Sequence, residues 1–253
     1  MKTTPLSCAY DPPADLLAGR VVLVTGAGRG LGRAVALACA ASGATVALLG
    51  RNADRLTDTY DAIVAAGGRE PAAIPLDLAT AGDREFDTLA QLVVRDLGRL
   101  DALVHCAVHF KPLAPLADQS LEDWLASLRV NLAAPFALTR ACVPFLARSP
   151  DGVTVFTSET HAVHPAAYWG AFAVAKSGLA PLAAIWADES EKDGKPRFHV
   201  IVPGPVATPM RGQSHPGEAR ASLPTPEALA RAYLRVLGPE GKTLGTGPLE
   251  IAT

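Results

Sequence analysis

A glycine-rich turn near the amino terminus constrains the fold of this chain more than any other feature. The turn spans 25–32 (TGAGRGLG) and joins an apolar run, 21–24, to a helical pattern that begins at Leu31. Glycines at a strand-to-helix turn let the backbone approach a pyrophosphate, which binds at the positive end of the helix. Because strand and helix flank the turn as that mechanism requires, the segment predicts a nucleotide-binding site. Its candidate cofactor-binding residues are Gly26, Gly28, Arg29, Gly30, Leu31 and Gly32.

Strands and helices alternate along the remainder of the chain. Apolar runs typical of buried strands lie at 45–49, 73–76, 101–106, 153–156, 198–202 and 248–252. Helical patterns lie between them at 31–42, 54–66, 85–97, 121–146, 170–188 and 226–237. This alternation favours parallel pairing through right-handed crossovers. We therefore expect an α/β fold with a doubly wound parallel β-sheet, a Rossmann fold in three α/β/α layers.

The domain organisation follows from the same pattern. No linker or shift in composition divides the chain, so residues 1–253 are expected to form a single nucleotide-binding domain. Residues 1–18 are predicted to be a proline-rich amino-terminal arm. The segment 208–224 contains three prolines and three charged residues and is predicted to be a mobile loop over a substrate site.

Composition argues against several classes of protein. Apolar residues make up 49% of the chain and charged residues 19%, which suits a large core and argues against disorder. The net charge of −2 argues against a nucleic-acid partner. No run reaches the roughly 20 apolar residues of a membrane span, and the early prolines and acids do not fit a signal peptide, so we expect a cytoplasmic protein.

The cysteines predict no metal site. The chain has four, and they lack both a CxxC pair and a histidine at zinc-ligand spacing. Three of them fall in apolar runs, where cysteine behaves as a small hydrophobic residue. The four cysteines are Cys8, Cys39, Cys106 and Cys142, and we expect reduced thiols.

The turn also resembles a family fingerprint. Thr25 to Gly32 matches TGxxxGxG, the motif of the short-chain dehydrogenases/reductases, and the resemblance extends over nearly the whole chain. It assigns further residues to the cofactor: a pair at the adenine, part of an NNAG-like motif, the asparagine of the central helix, the lysine of a YxxxK motif, and a loop facing the nicotinamide. In this sequence these residues are Asp77, Leu78, Ala107, Asn131, Lys176, Pro203, Gly204, Val206 and Thr208.

Two arginines favour NADP(H) over NAD(H). Enzymes of this fold that prefer NAD place an acidic residue at the end of the second strand of the nucleotide-binding unit, where it accepts from the ribose hydroxyls. Here Gly50 occupies that position and Arg51 follows it, while Arg29 lies within the glycine turn. Guanidinium groups offer planar, bidentate donors that suit a 2′-phosphate, so the sequence predicts NADP(H) as the cofactor.

The catalytic motif departs from the family pattern. The resemblance implies a serine that holds the substrate oxygen, a tyrosine that exchanges a proton with it, and a lysine that binds the ribose and lowers the tyrosine pKa, all supported by an asparagine. Phe172 stands at the tyrosine position, and Glu159 stands at the serine position, with Ser158 just before it. Asn131 and Lys176 remain. Since loss of a positioned general acid lowers rates by about 10² to 10⁴, the usual route is expected to be impaired.

Three hypotheses follow from this departure. In the first, the protein is an NADP-dependent oxidoreductase acting on a small carbonyl or alcohol compound, with relocated proton donors. Tyr168 precedes Phe172 by one predicted helical turn, and a desolvated Glu159 could carry the proton. His161 and His164 are near in sequence and are candidate proton carriers, although each is interpreted more readily as a solvated side chain.

In the second hypothesis the domain binds nucleotide without redox chemistry, as a pseudoenzyme. In the third, Glu159 drives non-redox catalysis, such as an isomerase or lyase reaction. The run His105–Val108 also departs from NNAG, which indicates natural divergence of the whole site. The resemblance further implies a homo-oligomer, a tetramer or dimer, built on the helices at 121–146 and 170–188.

Overall fold

One parallel sheet organises the part of the chain that the computed structural model describes, residues 2–190 and 196–252. Its strands are β1 (Thr4–Ser7), β2 (Val21–Thr25), β3 (Thr45–Gly50), β4 (Ala72–Pro75), β5 (Ala102–His105), β6 (Val153–Thr157), β7 (Arg197–Val202) and β8 (Pro248–Ala252). They lie in the order β1-β8-β7-β6-β5-β2-β3-β4, and each adjacent pair is parallel. The predicted doubly wound α/β fold is confirmed.

Helices cover both faces of the sheet. They are α1 (Gly30–Ala41), α2 (Ala53–Ala65), α3 (Asp83–Leu97), α4 (Leu121–Leu128), α5 (Ala134–Leu146), α6 (Thr160–Val163), α7 (Gly170–Ser177), α8 (Leu179–Glu189), α9 (Pro209–Ser214) and α10 (Pro226–Leu237). In β2, Val22 and Val24 pack in the core under α1, α2 and α10, whereas Val21 and Leu23 pack under α3 and α5. The uninterrupted apolar run of β2 is therefore buried on both faces.

The strand order places a ligand site. From β2 the sheet extends through β3 to β4 in one direction, and from β5 through β6 to β7 in the other. The carboxyl ends of β2 and β5 thus flank the point where the order reverses. In open α/β sheets this crevice is the usual ligand site.

The predicted amino-terminal arm contains a strand that the sequence did not indicate. β1 pairs with β8 at the sheet edge, with Leu6 opposite Ile251. Leu6 is fully buried, while the other three residues of β1 are exposed. A single buried side chain beside Pro5 gives no alternating or continuous apolar pattern, so the strand signal is too weak to read from sequence.

The long predicted helix at 121–146 is interrupted by a π-helical turn. Arg129–Ala133 forms this turn between α4 and α5, and Asn131 lies at its centre. π-turns inside helices often mark functional positions. Apolar residues continue on both sides of the turn, which explains why the pattern predicted one continuous helix.

The helix predicted at 170–188 is present as the consecutive helices α7 and α8. By length and composition alone, Gly170–Glu189 would suffice to cross a membrane. In the structure, however, Leu179 and Ala183 are buried with Phe198 of β7, as expected of a helix that packs on a sheet. The predicted cytoplasmic location stays a prediction.

Candidate active site

A cavity opens along the carboxyl edge of the sheet. The segments after β2, β3, β4, β5, β6 and β7 line it. Because β2 and β5 lie between β3 and β6, the residues after β3 and those after β6 form two separate ends of the cavity. We name them the arginine end (Arg29, Arg51 and Arg55) and the glutamate end (Glu159, His161, Trp169 and Phe172).

The glycine turn between the two ends is closely packed. Gly26 has a left-handed φ of 69°, and a Cβ there would lie 2.8 Å from the Ala107 Cα. A Cβ on Gly32 would overlap the carbonyl oxygen of Gly26. In the described chain, the N-cap of α1, Arg29, makes no side-chain capping bond, and the first turn holds no acidic residue. The helix N–H groups are therefore open to an anion such as a phosphate.

Thr25 ties the turn to the segment after β5. Its Oγ1 accepts hydrogen bonds from the backbone N–H groups of Cys106 (3.1 Å) and Ala107 (3.0 Å). His105, at the first position of the predicted NNAG-like motif, is buried instead of facing a ligand. Its Nε2 lies 2.9 Å from Thr139 Oγ1, and burial lowers the pKa of His105 to about 3. The ring is a neutral part of the core.

The arginine end gathers three guanidinium groups. Arg29 and Arg51 line the cavity as predicted, beside Asp77 and Leu78. Burial lowers the pKa of Arg29, and the positive charges of Arg55 and Arg51 lower it further. Arg55 was missed in the sequence analysis, although its position four residues after Arg51 could have suggested it. Such a cluster of like charges suits a ligand with a phosphate group.

Asn131 orders the segment that follows β5. Its Nδ2 donates to the His109 carbonyl (2.8 Å) and to Ser127 Oγ (3.1 Å), and its Oδ1 accepts from the His109 N–H (3.1 Å). The side chain is completely buried. Asn131 therefore fixes the main chain at His109, which lines the cavity.

Lys176 lies at the cavity wall near the glutamate end. Its Nζ donates to the Thr157 carbonyl at 2.8 Å, and the side chain is buried. Burial lowers the pKa of Lys176 to about 8, and negative charge on Cys106 or Glu159 would oppose that shift. Ser158 Oγ donates to the Lys176 carbonyl (3.3 Å). Ser158 therefore braces α7 against the end of β6.

Glu159 presents a buried carboxyl group to the cavity. One oxygen, Oε2, lies 3.1 Å from His161 Nδ1. The other, Oε1, is buried and finds no hydrogen-bond partner within residues 2–190 and 196–252. Burial raises the pKa of Glu159, and the hydrogen bonds from His161 oppose that rise. A carboxyl group in this state holds its proton to higher pH than usual and has one oxygen available to a ligand.

An aromatic cluster surrounds this carboxyl group. The His161 ring stacks on Trp169, with centroids 3.9 Å apart and planes 14° apart. Phe172 meets Phe110 edge-on at 5.2 Å and lies 6.1 Å from Trp169. Both Trp169 and Phe172 are buried and line the cavity. Phe172 thus occupies its position with an apolar ring, and His161 is held in place rather than solvated.

Tyr168 does not reach the cavity, contrary to the prediction from its spacing to Phe172. Its side chain is 56% exposed, and its backbone has a left-handed φ of 75°. The argument from helical spacing fails because α7 begins at Gly170, so Tyr168 lies outside the helix that carries Phe172. Trp169, which the sequence analysis missed, takes the place facing the cavity. His164 is exposed, as its solvated interpretation implied.

The predicted loop at 208–224 carries a short helix. Pro203, Gly204 and Val206 line the cavity, with Gly204 in a left-handed conformation (φ 72°). Thr208 caps α9 by accepting the N–H of Arg211 (3.2 Å). Pro209–Ser214 thereby forms a structured wall over the glutamate end, where Met210 contacts the aromatic cluster.

Comparison with known proteins gives consistent matches. A family model described as short chain dehydrogenase matches residues 20–219. The oxidoreductase YciK of Escherichia coli (strain K12) is 36% identical over 233 residues, which is 92% of each chain.

Solved structures share the fold over almost their full length. A short chain dehydrogenase from Pseudomonas syringae has 40% identity and a TM-score of 0.90, covering 95% of this chain and 98% of its own. A short chain dehydrogenase from Shigella flexneri 2a str. 301, complexed with NADP, has 34% identity and a TM-score of 0.89, covering 94% and 99%.

Proposed function

Because this chain belongs to the short-chain dehydrogenase family, we propose that it is an NADP(H)-binding oxidoreductase acting on a small carbonyl or alcohol compound. In this proposal the Glu159–His161 pair takes the proton-donating part that the resemblance gives to a tyrosine. The observation that carries the proposal is the buried Glu159 carboxyl group, paired with His161 through one oxygen and open to the cavity through the other.

The arginine end supports the choice of cofactor. Arg29, Arg51 and Arg55 would hold the 2′-phosphate, and the glycine turn with the N-terminus of α1 would hold the pyrophosphate. The similar structure from Shigella flexneri is complexed with NADP, which supports the same assignment here. When bound, the cofactor supplies or accepts the hydride. The protein's own residues must then bind, orient and exchange the proton.

Lys176 and Asn131 support placement of the reacting part of the ligand. By the family resemblance, Lys176 would hold the ribose, and its pKa of about 8 makes it only weakly charged above that pH. Asn131 holds the main chain at His109, which lines the cavity next to the ligand. These two residues position the site without donating the proton.

The Glu159–His161 pair supports proton transfer. Because burial raises the pKa of Glu159, its carboxyl group holds a proton to higher pH than an ordinary glutamate does. The carboxyl group would donate this proton to the substrate oxygen during reduction, and His161 would return a proton to the carboxylate through their 3.1 Å contact. The reverse reaction would take a proton from an alcohol.

The direct test is oxidation of NADPH in the presence of a panel of cyclic ketones. We expect turnover that falls as pH rises, since the donor must be protonated. We further expect Glu159→Gln to remove it. Turnover that is unchanged in Glu159→Gln would refute the assigned proton donor.

A nucleotide-binding protein without redox activity is the second candidate, which the apolar setting of Phe172 favours. The substitution Phe172→Tyr separates the two candidates. If carbonyl reduction appears only in this variant, the natural site is a disabled one. If the wild-type activity exists and falls on substitution, the phenylalanine belongs to a working site.

Exposed apolar side chains support the predicted homo-oligomer. They lie on α4, α5, α7 and α8, the helices of the predicted interface, and comprise Leu121, Leu125, Phe136, Val174 and Ile185. Light scattering of the purified protein would identify a dimer or a tetramer, and a monomer at high concentration would contradict this part of the proposal.

A further inference from the structure

The glutamate end contains a buried acceptor atom that the protein itself does not satisfy. Glu159 is only 9% exposed, and its Oε1 has no hydrogen-bond partner among the described residues. A buried carboxylate oxygen left without a donor or a counter-charge is unfavourable, because water is excluded and no other group replaces it. The cavity therefore favours a ligand that brings a donor or a positive charge to this atom.

The positive side chains nearby hydrogen-bond to other groups, although the charge of Lys176 acts on Glu159 without a hydrogen bond. Lys176 Nζ donates to the Thr157 carbonyl, and Arg211 forms two hydrogen bonds with Glu218 (2.5 and 2.7 Å). His161 occupies the other oxygen of Glu159. Burial and the neighbouring Lys111 and Arg51 charges lower the pKa of His109, which therefore adds little positive charge. These contacts leave Oε1 to a ligand.

The walls of the glutamate end are aromatic and apolar, with one face of Trp169 covered by the stacked His161 ring. Trp169, Phe172 and Met210 line this end of the cavity, and all three belong to one apolar cluster. Aromatic faces attract organic cations within about 6 Å by roughly 0.5–2 kcal/mol, more when water is excluded. A carboxylate beside aromatic faces is suited to a flat ring that carries positive charge.

From this arrangement we propose that the glutamate end is a binding site for a flat organic cation, above all an iminium ion. Its positive nitrogen would face Glu159, and its ring would lie against Trp169 and Phe172. The proposal goes beyond the proposed function because it assigns a charge and a shape to the ligand. It calls on the ionised form of Glu159, whereas the proposed carbonyl reduction calls on the protonated form.

An iminium ion also suits a site with phenylalanine in place of tyrosine. Reduction of a ketone requires a hydride at carbon and a proton at oxygen. Reduction of an iminium ion by reduced nicotinamide would break one C–H bond of the dihydronicotinamide, which is oxidised, and form one C–H bond at the iminium carbon. The C=N π pair becomes the nitrogen lone pair, and no proton is taken up. The missing hydroxyl of Phe172 is then of no consequence for the reaction, and Glu159 serves as the counter-ion.

Two probes of equal shape and different charge test the proposal by binding alone. N-methylisoquinolinium carries a fixed positive charge, and 2-methylnaphthalene is its neutral counterpart. Both are titrated into the NADPH-saturated protein while tryptophan fluorescence is followed. We expect the cation to bind at least about tenfold more tightly. Equal affinity, or tighter binding of the neutral probe, would overturn the proposal.

Variants locate the preference. Glu159→Gln keeps the shape of the side chain and is expected to abolish the tenfold preference, whereas the exposed Glu227→Gln is expected to keep it. A preference that survives Glu159→Gln would place the cation elsewhere and overturn the proposal. The comparison of the two probes in the wild-type protein stands even where a variant fails to fold.

A third titration separates this inference from the proposed function. If NADPH binds and ketones are reduced while the cation shows no preference, only the inference fails. If NADPH produces no heat and the cation binds the protein alone with the expected preference, the proposed function fails and the inference stands. As a catalytic readout, N-methyl-3,4-dihydroisoquinolinium should be reduced by wild type and Phe172→Tyr at similar rates.

Discussion

The two ends of the cavity differ in how closely they follow the family pattern. The arginine end lies beside the full TGxxxGxG turn and consists of three guanidinium groups that are partly solvated. The family's lysine is present as Lys176 near the glutamate end, but a phenylalanine and a buried glutamate occupy the positions where the family pattern has tyrosine and serine. The difference teaches that the residues predicted to bind the cofactor can follow the family pattern while those at the reacting positions diverge, since the two groups lie at different strand ends.

The largest expected effect comes from a substitution in the glycine turn beside the arginine end. In Gly32→Ala the new Cβ would overlap the Gly26 carbonyl oxygen, which is backbone and has little freedom to move. We expect cofactor binding to fall below detection by calorimetry. Gly217→Ala is the matched control, because a Cβ there meets no atom of the described residues within 4 Å. Normal binding in Gly32→Ala would contradict the proposed pyrophosphate site.

The next largest effect comes from a substitution at the glutamate end that leaves the arginine end unchanged. Glu159→Gln removes the proton donor and is expected to lower kcat for carbonyl reduction by about 10² to 10⁴, with NADPH affinity changed little. Steady-state kinetics with calorimetry on the same preparation would measure both. Glu227→Gln, an exposed change of the same kind, should leave both values unaltered. A loss of NADPH affinity that matched the loss of kcat would mean that the two ends are not separable.

A stability measurement sharpens the comparison. Burial lowers the pKa of Lys176 from 10.5 to about 8, so the unfolded chain binds this proton more tightly than the folded protein does. The penalty is fully present below pH 8 and is relieved as pH rises towards 10.5. We expect Lys176→Met to raise the free energy of unfolding by about 1–3 kcal/mol at pH 7, partly offset by loss of the bond to Thr157, while removing activity.

Urea denaturation at pH 7 and pH 10 would test that expectation. The stabilising effect of Lys176→Met should shrink at the higher pH. Arg51→Ala, on an exposed residue of the arginine end, should change stability little at either pH. A Lys176→Met protein less stable than wild type at both pH values would contradict the account of a strained, buried ammonium group.

The smallest effect tunes cofactor choice. Arg51→Ala or Arg55→Ala removes one guanidinium group from the predicted 2′-phosphate site and should weaken NADPH about tenfold, with NADH unchanged. Arg84→Ala, an exposed arginine outside the cavity lining, serves as the control. Equal losses for NADPH and NADH would place these arginines at another part of the cofactor.

The sequence alone predicted the lining of the glycine turn and the arginine end better than the lining of the glutamate end. The glycine turn, Asp77, Asn131 and Lys176 follow spacings fixed by strand ends and helix turns, and the cavity brings the first two and Lys176 together. Asn131 does not line the cavity itself but hydrogen-bonds to the main chain of His109, which does.

The arrangement of the glutamate end depends on contacts between loops, and the spacing of residues along the sequence does not reveal such contacts. Tyr168 and Trp169 are neighbours, and beside the left-handed backbone of Tyr168 it is Trp169 that lines the cavity. The bond between Glu159 and His161 likewise depends on the N-terminus of the four-residue helix α6, which lacks a readable apolar period. Strand β1 was missed for a similar reason, since one buried leucine does not make a pattern.

The measurement that tests the central claim most directly is a calorimetric titration of the protein with NADPH, NADP⁺, NADH and NAD⁺ at pH 6 and pH 9. We predict micromolar binding of the phosphorylated forms and about tenfold weaker binding of the others. We also predict that the preference for NADP⁺ over NADPH is greater at the higher pH, because an ionised Glu159 attracts the positive ring. Lys176 shifts the preference in the same direction, so Glu159→Gln should reduce the change. No binding of any form, or a pH-dependent preference identical in Glu159→Gln, would contradict the account.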